Sequence, residues 1–259
     1  MNTSLLPGRR TTLSLLAAFA LVTLAGCAAW RINDARELAR ASEPFQTAPL
    51  DATGSLLVVG DSTAVGTGAS SPEGSLAGLI ARDHPGLRIV NRAVDGAKFD
   101  AIPAQLAADS NRFDVILVLA GGNDVIRLTR EDKLREAIQQ TAVLARARSN
   151  NVVFMPSGNA GNAPFFFAPV SWLMTERSQT LHRLVREAAA THSASYVNLY
   201  KPAADDPFAQ RPQELHAADG LHPSDAGYRI WYGELNQQAQ LAQKIAASKA
   251  ATGGVARTR

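Results

Sequence analysis

From Gly54 onward, short apolar runs alternate with longer amphipathic stretches. The runs are rich in leucine and β-branched residues and occupy positions 56–59, 87–90, 115–119, 152–155 and 196–199. Nearly unbroken apolar runs of this length are typical of strands buried on both faces of a parallel sheet. Five strand–helix repeats therefore predict a three-layer α/β sandwich with a mostly parallel five-stranded sheet.

The stretches between these runs have the periodicity of amphipathic helices. They predict helices over 129–148, from about 174 to 191, and from 223 toward 240. Thr129 and Asp132 have the spacing of a capping box, and Pro223 is compatible with a first helical position. In open parallel sheets, ligands bind beyond the carboxyl ends of the strands, so we expect the functional residues in the loops that follow the strands.

The N-terminal segment has the features of an export signal. Arg9 and Arg10 precede an apolar run over 13–25, which ends in small residues followed by Cys27, the only cysteine. A charged start, a short apolar stretch and small residues are typical of a secretory signal peptide. A cysteine at this place resembles the bacterial lipobox, in which it is lipidated and becomes the new N terminus. An uncleaved anchor remains an alternative, because 11–30 approaches the ~20 residues that a membrane span needs.

We therefore divide the chain into a signal peptide (1–26), a lipidated N terminus and linker (27–53), a globular domain (54–241) and a flexible tail (242–259). Either form of attachment predicts a protein of the bacterial cell envelope, tethered to a membrane and facing the periplasm or the exterior. Removal of Arg9 and Arg10 lowers the net charge from +3 to +1. A balance so close to zero predicts no nucleic-acid partner. The sequence leaves the oligomeric state open.

The first candidate for chemistry is Ser62, in Gly60-Asp61-Ser62-Thr63 at the end of the first apolar run. A serine hydroxyl is a weak nucleophile, so it needs a base within hydrogen-bond reach and donors for the developing oxyanion. Gly-Asp-Ser is also an ordinary turn sequence. The motif therefore defines a site only together with partners elsewhere in the chain.

A suitable base occurs in Asp219-Gly220-Leu221-His222-Pro223. A carboxylate three residues before a histidine can reach one ring nitrogen, which leaves the other nitrogen free to accept a proton. The alternative is an ordinary surface loop before a helix. The other four histidines lack this arrangement, and we expect them on the surface or on helices: His84, His182, His192 and His216.

Two further loops offer oxyanion donors. Asn123 lies in Gly121-Gly122-Asn123-Asp124 after the third run, where a side-chain amide can donate and glycines allow close approach of a substrate. Gly96 follows the second run, and its backbone N–H is a further candidate. Both segments also fit plain turns.

Together these blocks resemble the SGNH hydrolases, also called the GDSL family. Gly-Asp-Ser, a glycine, Gly-x-Asn-Asp and Asp-x-x-His occur here in the family's order, over 56–228. The resemblance implies a flavodoxin-like sheet, with Ser62 as the nucleophile and His222 as the base that Asp219 orients. It also implies oxyanion donors from the Ser62 N–H, Gly96 and Asn123. The one departure is Thr63, where many members have leucine, and we expect Asp61 and Asp124 to brace their loops.

The activity expected from this resemblance is hydrolysis of carboxyl esters in small-molecule or envelope substrates, without cofactor or metal. Deacetylation or acyl transfer on an envelope glycan is the alternative, and a non-catalytic envelope-binding lipoprotein is a further one. The α/β-hydrolases need Gly-x-Ser-x-Gly, which does not occur here. A metallophosphatase needs several histidines and carboxylates around its metal, and the Asn-Asp turn has no adjoining histidine.

A substrate pocket is predicted in the loop over 157–169, which follows the fourth run. Phe165, Phe166 and Phe167 stand between Pro164 and Pro169. Neither a helix nor a strand can bury three adjacent rings on one face. We therefore expect at least one ring to face the cleft or the membrane, the alternative being that all three fill gaps between this loop and the next helix.

Overall fold

The computed structural model describes Ser14, Ala18, Gly26 and residues 31–246. Most of the predicted signal peptide, Cys27 and the tail after residue 246 therefore lie outside the described residues. None of the helices within the described part of the chain is both long and apolar enough to span a membrane. Residues 31–41 are helical, and we call this segment α1.

The central sheet has five strands in the order β2-β1-β3-β4-β5, and every adjacent pair is parallel. The strands are β1 (Gly54–Gly60), β2 (Leu87–Asn91), β3 (Val115–Leu119), β4 (Val152–Phe154) and β5 (Ser195–Tyr196). The predicted α/β class and five-stranded parallel sheet are confirmed. The strand expected over 196–199 is shorter than predicted and ends at Tyr196, although Val197 still donates its N–H to the Phe154 carbonyl of β4 at 2.9 Å and Leu199 is buried in the core.

Nine helices follow the first strand within the described residues. They are α2 (Ser62–Val65), α3 (Leu76–Asp83), α4 (Ile102–Ala107), α5 (Gly122–Ile126), α6 (Glu131–Arg148), α7 (Val170–Thr191), α8 (Pro207–Gln210), α9 (Pro212–Leu215) and α10 (Asp225–Ala239). A further helical turn covers 241–246.

Two predicted helix starts are wrong. Arg130 precedes α6 and makes no side-chain cap, so Thr129 and Asp132 form no capping box; Asp132 instead accepts hydrogen bonds from Arg130. Helix α10 starts after Ser224, whose hydroxyl accepts from the Gly227 N–H. Serine is a better N-cap than proline, which explains why Pro223 stays outside the helix.

The sheet lies between two helical layers, as the strand–helix alternation predicts. In β1, Leu56 and Val58 face a core cluster that includes α3 and α10. Leu57 and Val59 face the opposite cluster, formed with α4, α6 and α7. Successive side chains of a strand point to opposite faces. Burial on both faces therefore explains why the strands appear as continuous apolar runs.

The packed unit extends beyond the predicted domain limits. Phe45 packs against the first core cluster, and Thr47 bridges to Ile89 of β2. At the other end, Leu241 and Ile245 are buried in the same cluster. Their spacing places both side chains on one face of the 241–246 turn. The predicted linker and the start of the predicted tail are thus parts of the folded domain.

Candidate active site

The end of β1 places Ser62 at the first position of α2. Asp61 caps this helix: its Oδ1 accepts hydrogen bonds from the Thr63 N–H at 2.9 Å and the Thr63 hydroxyl at 2.7 Å. Burial raises the pKa of Asp61, although the hydrogen bonds from Thr63 oppose this shift. Threonine at position 63 thus adds a second bond to the capping carboxyl. The backbone N–H groups of the first helical turn, including that of Ser62, have no partners within the helix.

A residue that the sequence analysis missed, Gln105 of α4, holds the end of β1. Its Oε1 accepts from the Gly60 N–H at 2.7 Å, and its Nε2 donates to the Gly60 carbonyl at 2.9 Å. The amide is buried and satisfies both backbone groups of the residue two positions before Ser62. No local pattern indicates this role, because a single glutamine in a helix gives no sign of a partner 45 residues away.

Asp219 and His222 form a local pair in the loop before α10. Asp219 Oδ2 lies 2.5 Å from His222 Nδ1, and Oδ1 accepts from the N–H groups of Leu221 and His222. Gly220 has a φ of +68°, which favours glycine and allows the tight path. Burial is the largest single influence on the pKa of Asp219 and raises it. The hydrogen bond and charge of His222 and the backbone N–H groups together outweigh burial, so the pKa is lowered.

The other ring nitrogen of His222 reaches Ser62. Nε2 lies 2.8 Å from Ser62 Oγ, although the two residues are 160 positions apart. With Nδ1–H donating to the Asp219 carboxylate, Nε2 of the neutral ring has a free lone pair and accepts from the serine hydroxyl. This arrangement can move a proton from Ser62 to the imidazole.

Ser62 and His222 open onto a cavity of about 780 Å³. The predicted oxyanion residues Gly96 and Asn123 and the predicted pocket residues Phe165 and Phe166 line the same cavity. Gly96 has a φ of +73°. An added Cβ there would lie 3.1 Å from the Arg127 guanidinium. Asn123 lies in the first turn of α5.

Two predicted site residues do not line the cavity. The buried carboxylate of Asp219 lies against Nδ1 of His222, on the side of the ring away from Ser62. The Phe167 ring is mainly exposed, with the Arg31 guanidinium 4.6 Å from its centre. Asp124 braces its loop, as expected, by accepting from the Phe99 N–H at 2.9 Å. Within the described ranges, no group of His, Cys, Asp or Glu side chains is placed to hold a metal ion.

The structure adds a cavity wall that the sequence analysis did not predict. Residues of α1 line the cavity at helical spacing: Ile32, Ala35, Arg36, Ala39 and Arg40. The sequence analysis placed this segment outside the globular domain because the strand–helix alternation starts only near Gly54.

Two histidines that were expected on the surface or on helices are buried. His216 lines the cavity and contacts Phe208 edge-on, with ring centres 5.2 Å apart. His182 lies on α7 but points inward, where Nε2 donates to the Ser157 carbonyl at 2.7 Å. Its Nδ1 accepts from the Tyr196 hydroxyl at 2.6 Å. Burial lowers the pKa of His182 to about 4.

Comparisons with known proteins identify a family and a shared fold. A sequence model of the GDSL-like lipase/acylhydrolase family matches residues 58–230. No curated protein sequence matches the chain. Among solved structures, TesA is 21% identical with a TM-score of 0.57, over 71% of this chain and 97% of TesA. A variant of an acetylxylan esterase from Geobacillus stearothermophilus is 20% identical, with a TM-score of 0.55 over 72% of this chain and 94% of that one. These similarities establish a shared fold.

Proposed function

The chain belongs to the GDSL-like lipase/acylhydrolase family, and is therefore a serine hydrolase of esters; we propose that Ser62 is its nucleophile, His222 its general base and Asp219 the residue that orients the base. The observation that carries this proposal is the continuous chain of contacts from Asp219 Oδ2 through the imidazole to Ser62 Oγ, at 2.5 and 2.8 Å. These distances lie within the hydrogen-bond reach that a nucleophile and its base need.

Acylation starts when Ser62 Oγ attacks the carbonyl carbon of the ester and its proton passes to His222 Nε2. The Asp219 carboxylate holds Nδ1–H and stabilises the imidazolium that forms. The lowered pKa of Asp219 keeps this carboxyl ionised as an acceptor. When the tetrahedral intermediate collapses, the alcohol leaves with the proton from Nε2, and the acyl group stays on Ser62.

Deacylation repeats the same proton transfers with water. His222 Nε2 takes a proton from the water as its oxygen attacks the acyl carbon, and then returns a proton to Ser62 Oγ. The carboxylic acid is released, and the hydroxyl of Ser62 is restored. In both steps we assign stabilisation of the oxyanion to the Ser62 N–H, the Gly96 N–H and the Asn123 side-chain amide.

The cavity favours esters with an apolar acyl group. Its wall includes Ile126, Phe165, Phe166, Leu199 and Leu221, and its volume of about 780 Å³ is far larger than an acetyl group needs. We therefore propose a carboxyl-ester hydrolase rather than a deacetylase of envelope glycan. The proposal includes attachment to a membrane of the cell envelope through a lipid on Cys27, supported by the sequence that precedes this residue.

The nucleophile is tested by labelling with a fluorophosphonate and by hydrolysis of nitrophenyl esters of increasing acyl length. Ser62→Ala should abolish labelling and lower kcat by about 10³-fold or more. Ser110→Ala is the matched control, because Ser110 is exposed and does not line the cavity. Near-native turnover by a folded Ser62→Ala protein would refute the assignment, and activity confined to acetyl esters would favour a deacetylase.

A further inference from the structure

The described surface carries one concentrated apolar patch, beside the mouth of the cavity. It consists of Phe167, Val170, Trp172 and Leu173, whose exposed fractions are 60%, 48%, 71% and 40%. Four of the nine large exposed apolar side chains of the described chain thus fall within seven consecutive residues. Single exposed apolar residues are common, whereas a contiguous exposed group marks an interaction surface. We call these four residues the aromatic patch.

Arg31 of α1 is fixed to the edge of this patch. Arg31 Nη1 donates to the Pro164 carbonyl, and the Arg31 guanidinium lies 4.6 Å from the centre of the Phe167 ring. Ile32, the next residue, is 43% exposed. Arg31, Ile32 and the aromatic patch therefore belong to one surface.

The short distance from Arg31 to the predicted membrane attachment limits how the domain can be oriented. Four peptide units separate Cys27 from Arg31, and six separate the end of the apolar run at Ala25 from Arg31. At full extension these span at most ~14 Å and ~21 Å. A globular domain of this length has a diameter of roughly 40 Å. With lipidation or with a retained anchor, the face that contains Arg31 must therefore lie next to the membrane.

We propose that the aromatic patch lies in the headgroup region of the bilayer to which the chain is attached. This inference rests on the membrane attachment included in the proposed function. Tryptophan prefers this region because it combines an apolar ring with a polar N–H. The Arg31 guanidinium, which lies over the Phe167 ring, supplies a positive charge at the rim of the patch that can pair with lipid phosphates. The partner is thus a lipid surface, bound by apolar burial and by a charge at the rim.

The residues just before the patch are hydrogen-bonded to the loop that contains Asp219 and His222. Phe165 donates its N–H to the Gly220 carbonyl at 3.0 Å, and Gly220 follows Asp219 in the loop that ends at His222. Phe165 and Phe166 pack edge-to-face, with centres 4.9 Å apart, and both line the cavity. The loop that touches the bilayer therefore also forms the mouth of the cavity. A lipid-borne acyl ester can enter there with little exposure of its chain to water.

Fluorescence quenching tests the position of Trp172 without requiring turnover. The full chain is reconstituted in phosphatidylcholine–phosphatidylglycerol vesicles whose phosphatidylcholine carries brominated acyl chains. Trp30 is close in sequence to the predicted attachment, so all measurements are made on proteins that carry Trp30→Phe. The emission of Trp172 is obtained by subtracting the spectrum of the Trp30→Phe, Trp172→Phe double variant from the spectrum of the Trp30→Phe single variant. We expect this emission to shift to the blue and to lose most of its intensity. An unshifted, unquenched Trp172 would overturn the proposal.

Kinetics test the consequence for substrate access. Trp172→Ser combined with Leu173→Ser should lower turnover of a long-chain ester embedded in the vesicles by about tenfold, or ~1.4 kcal/mol. Hydrolysis of a soluble acetate ester should stay unchanged. Val143→Ser is the matched control, because Val143 is 54% exposed but lies on α6.

The outcomes separate this inference from the proposed function. Loss of soluble-ester hydrolysis in Ser62→Ala supports the proposed function whatever the patch does. Equal turnover of embedded ester by the double variant and by Val143→Ser would overturn the docking inference alone. Quenching of Trp172 together with a selective loss on embedded ester supports it.

Discussion

Acidification from about pH 7 to about pH 5 should destabilise the fold through His182. This imidazole is buried, with both nitrogens hydrogen-bonded in the neutral form. Its pKa is lowered by burial to about 4 in the folded state, against ~6.5 in an unfolded chain. As the pH falls, the imidazole of His182 therefore takes up its proton at a higher pH in the unfolded state than in the folded state. The contribution of His182 to the stability of the fold is therefore complete above the pKa of its imidazole in the unfolded chain, and it is lost as the pH falls toward 4.

The size of the effect follows from this shift. Between about pH 7 and about pH 5, the free energy of unfolding should fall by about 2 kcal/mol on account of His182 alone. His216, whose pKa burial also lowers, adds a change of the same sign. Surface carboxylates in ion pairs, such as Asp132 with Arg130, contribute at lower pH.

Urea unfolding of wild type and His182→Gln at several pH values isolates the contribution of His182. The variant is less stable at all pH values because it lacks the imidazole contacts. Between about pH 7 and about pH 5, however, its free energy of unfolding should fall by about 2 kcal/mol less than that of the wild type. Circular dichroism reports the transitions. An equal pH dependence in both proteins would refute the reasoning, because it would mean that His182 does not change its protonation on unfolding.

Three further changes test the site. Asn123→Ala should lower kcat by about 10²–10³-fold with a smaller change in KM, since the amide acts mainly in the transition state; a change in KM alone would indicate substrate positioning. Phe166→Ala should shift the preferred acyl length while sparing an acetyl ester, and equal losses with a lower melting temperature would make the ring structural. Cys27→Ser should abolish incorporation of radiolabelled fatty acid and release the protein from the membrane; wild-type protein that stays in the membrane unlabelled would indicate a retained anchor.

The sequence predicted those parts of the site that depend on short-range geometry or on the rules of parallel sheets. Asp219 and His222 are three residues apart, and Gly220 permits the turn that joins them. Ser62 and His222 are distant in sequence, but loops at the carboxyl ends of parallel strands meet at one edge. The contact at 2.8 Å agrees with this expectation.

Features that depend on long-range packing could not be predicted from the sequence. A periodic pattern shows which face of a helix is apolar, but it does not show what that face meets. The roles of Gln105 and of buried His182 arise from contacts across 45 and 25 positions. The early end of β5 is of the same kind, since Val197 makes the last backbone hydrogen bond to β4 and Leu199 is buried by packing against the core.

Helix α1 shows why the limits of the fold and of the functional unit differ here. A chain that began at Gly54, where the strand–helix alternation starts, would retain all five strands and the contacts of Ser62, His222 and Asp219. It would lose the wall of the cavity that α1 supplies and the packing of Phe45 on the core. Because Arg31 of α1 lies against Phe167 of the aromatic patch, the same helix connects the face that we propose to meet the membrane with the substrate cavity. The functional unit therefore has to include the segment between the predicted lipid anchor and the first strand.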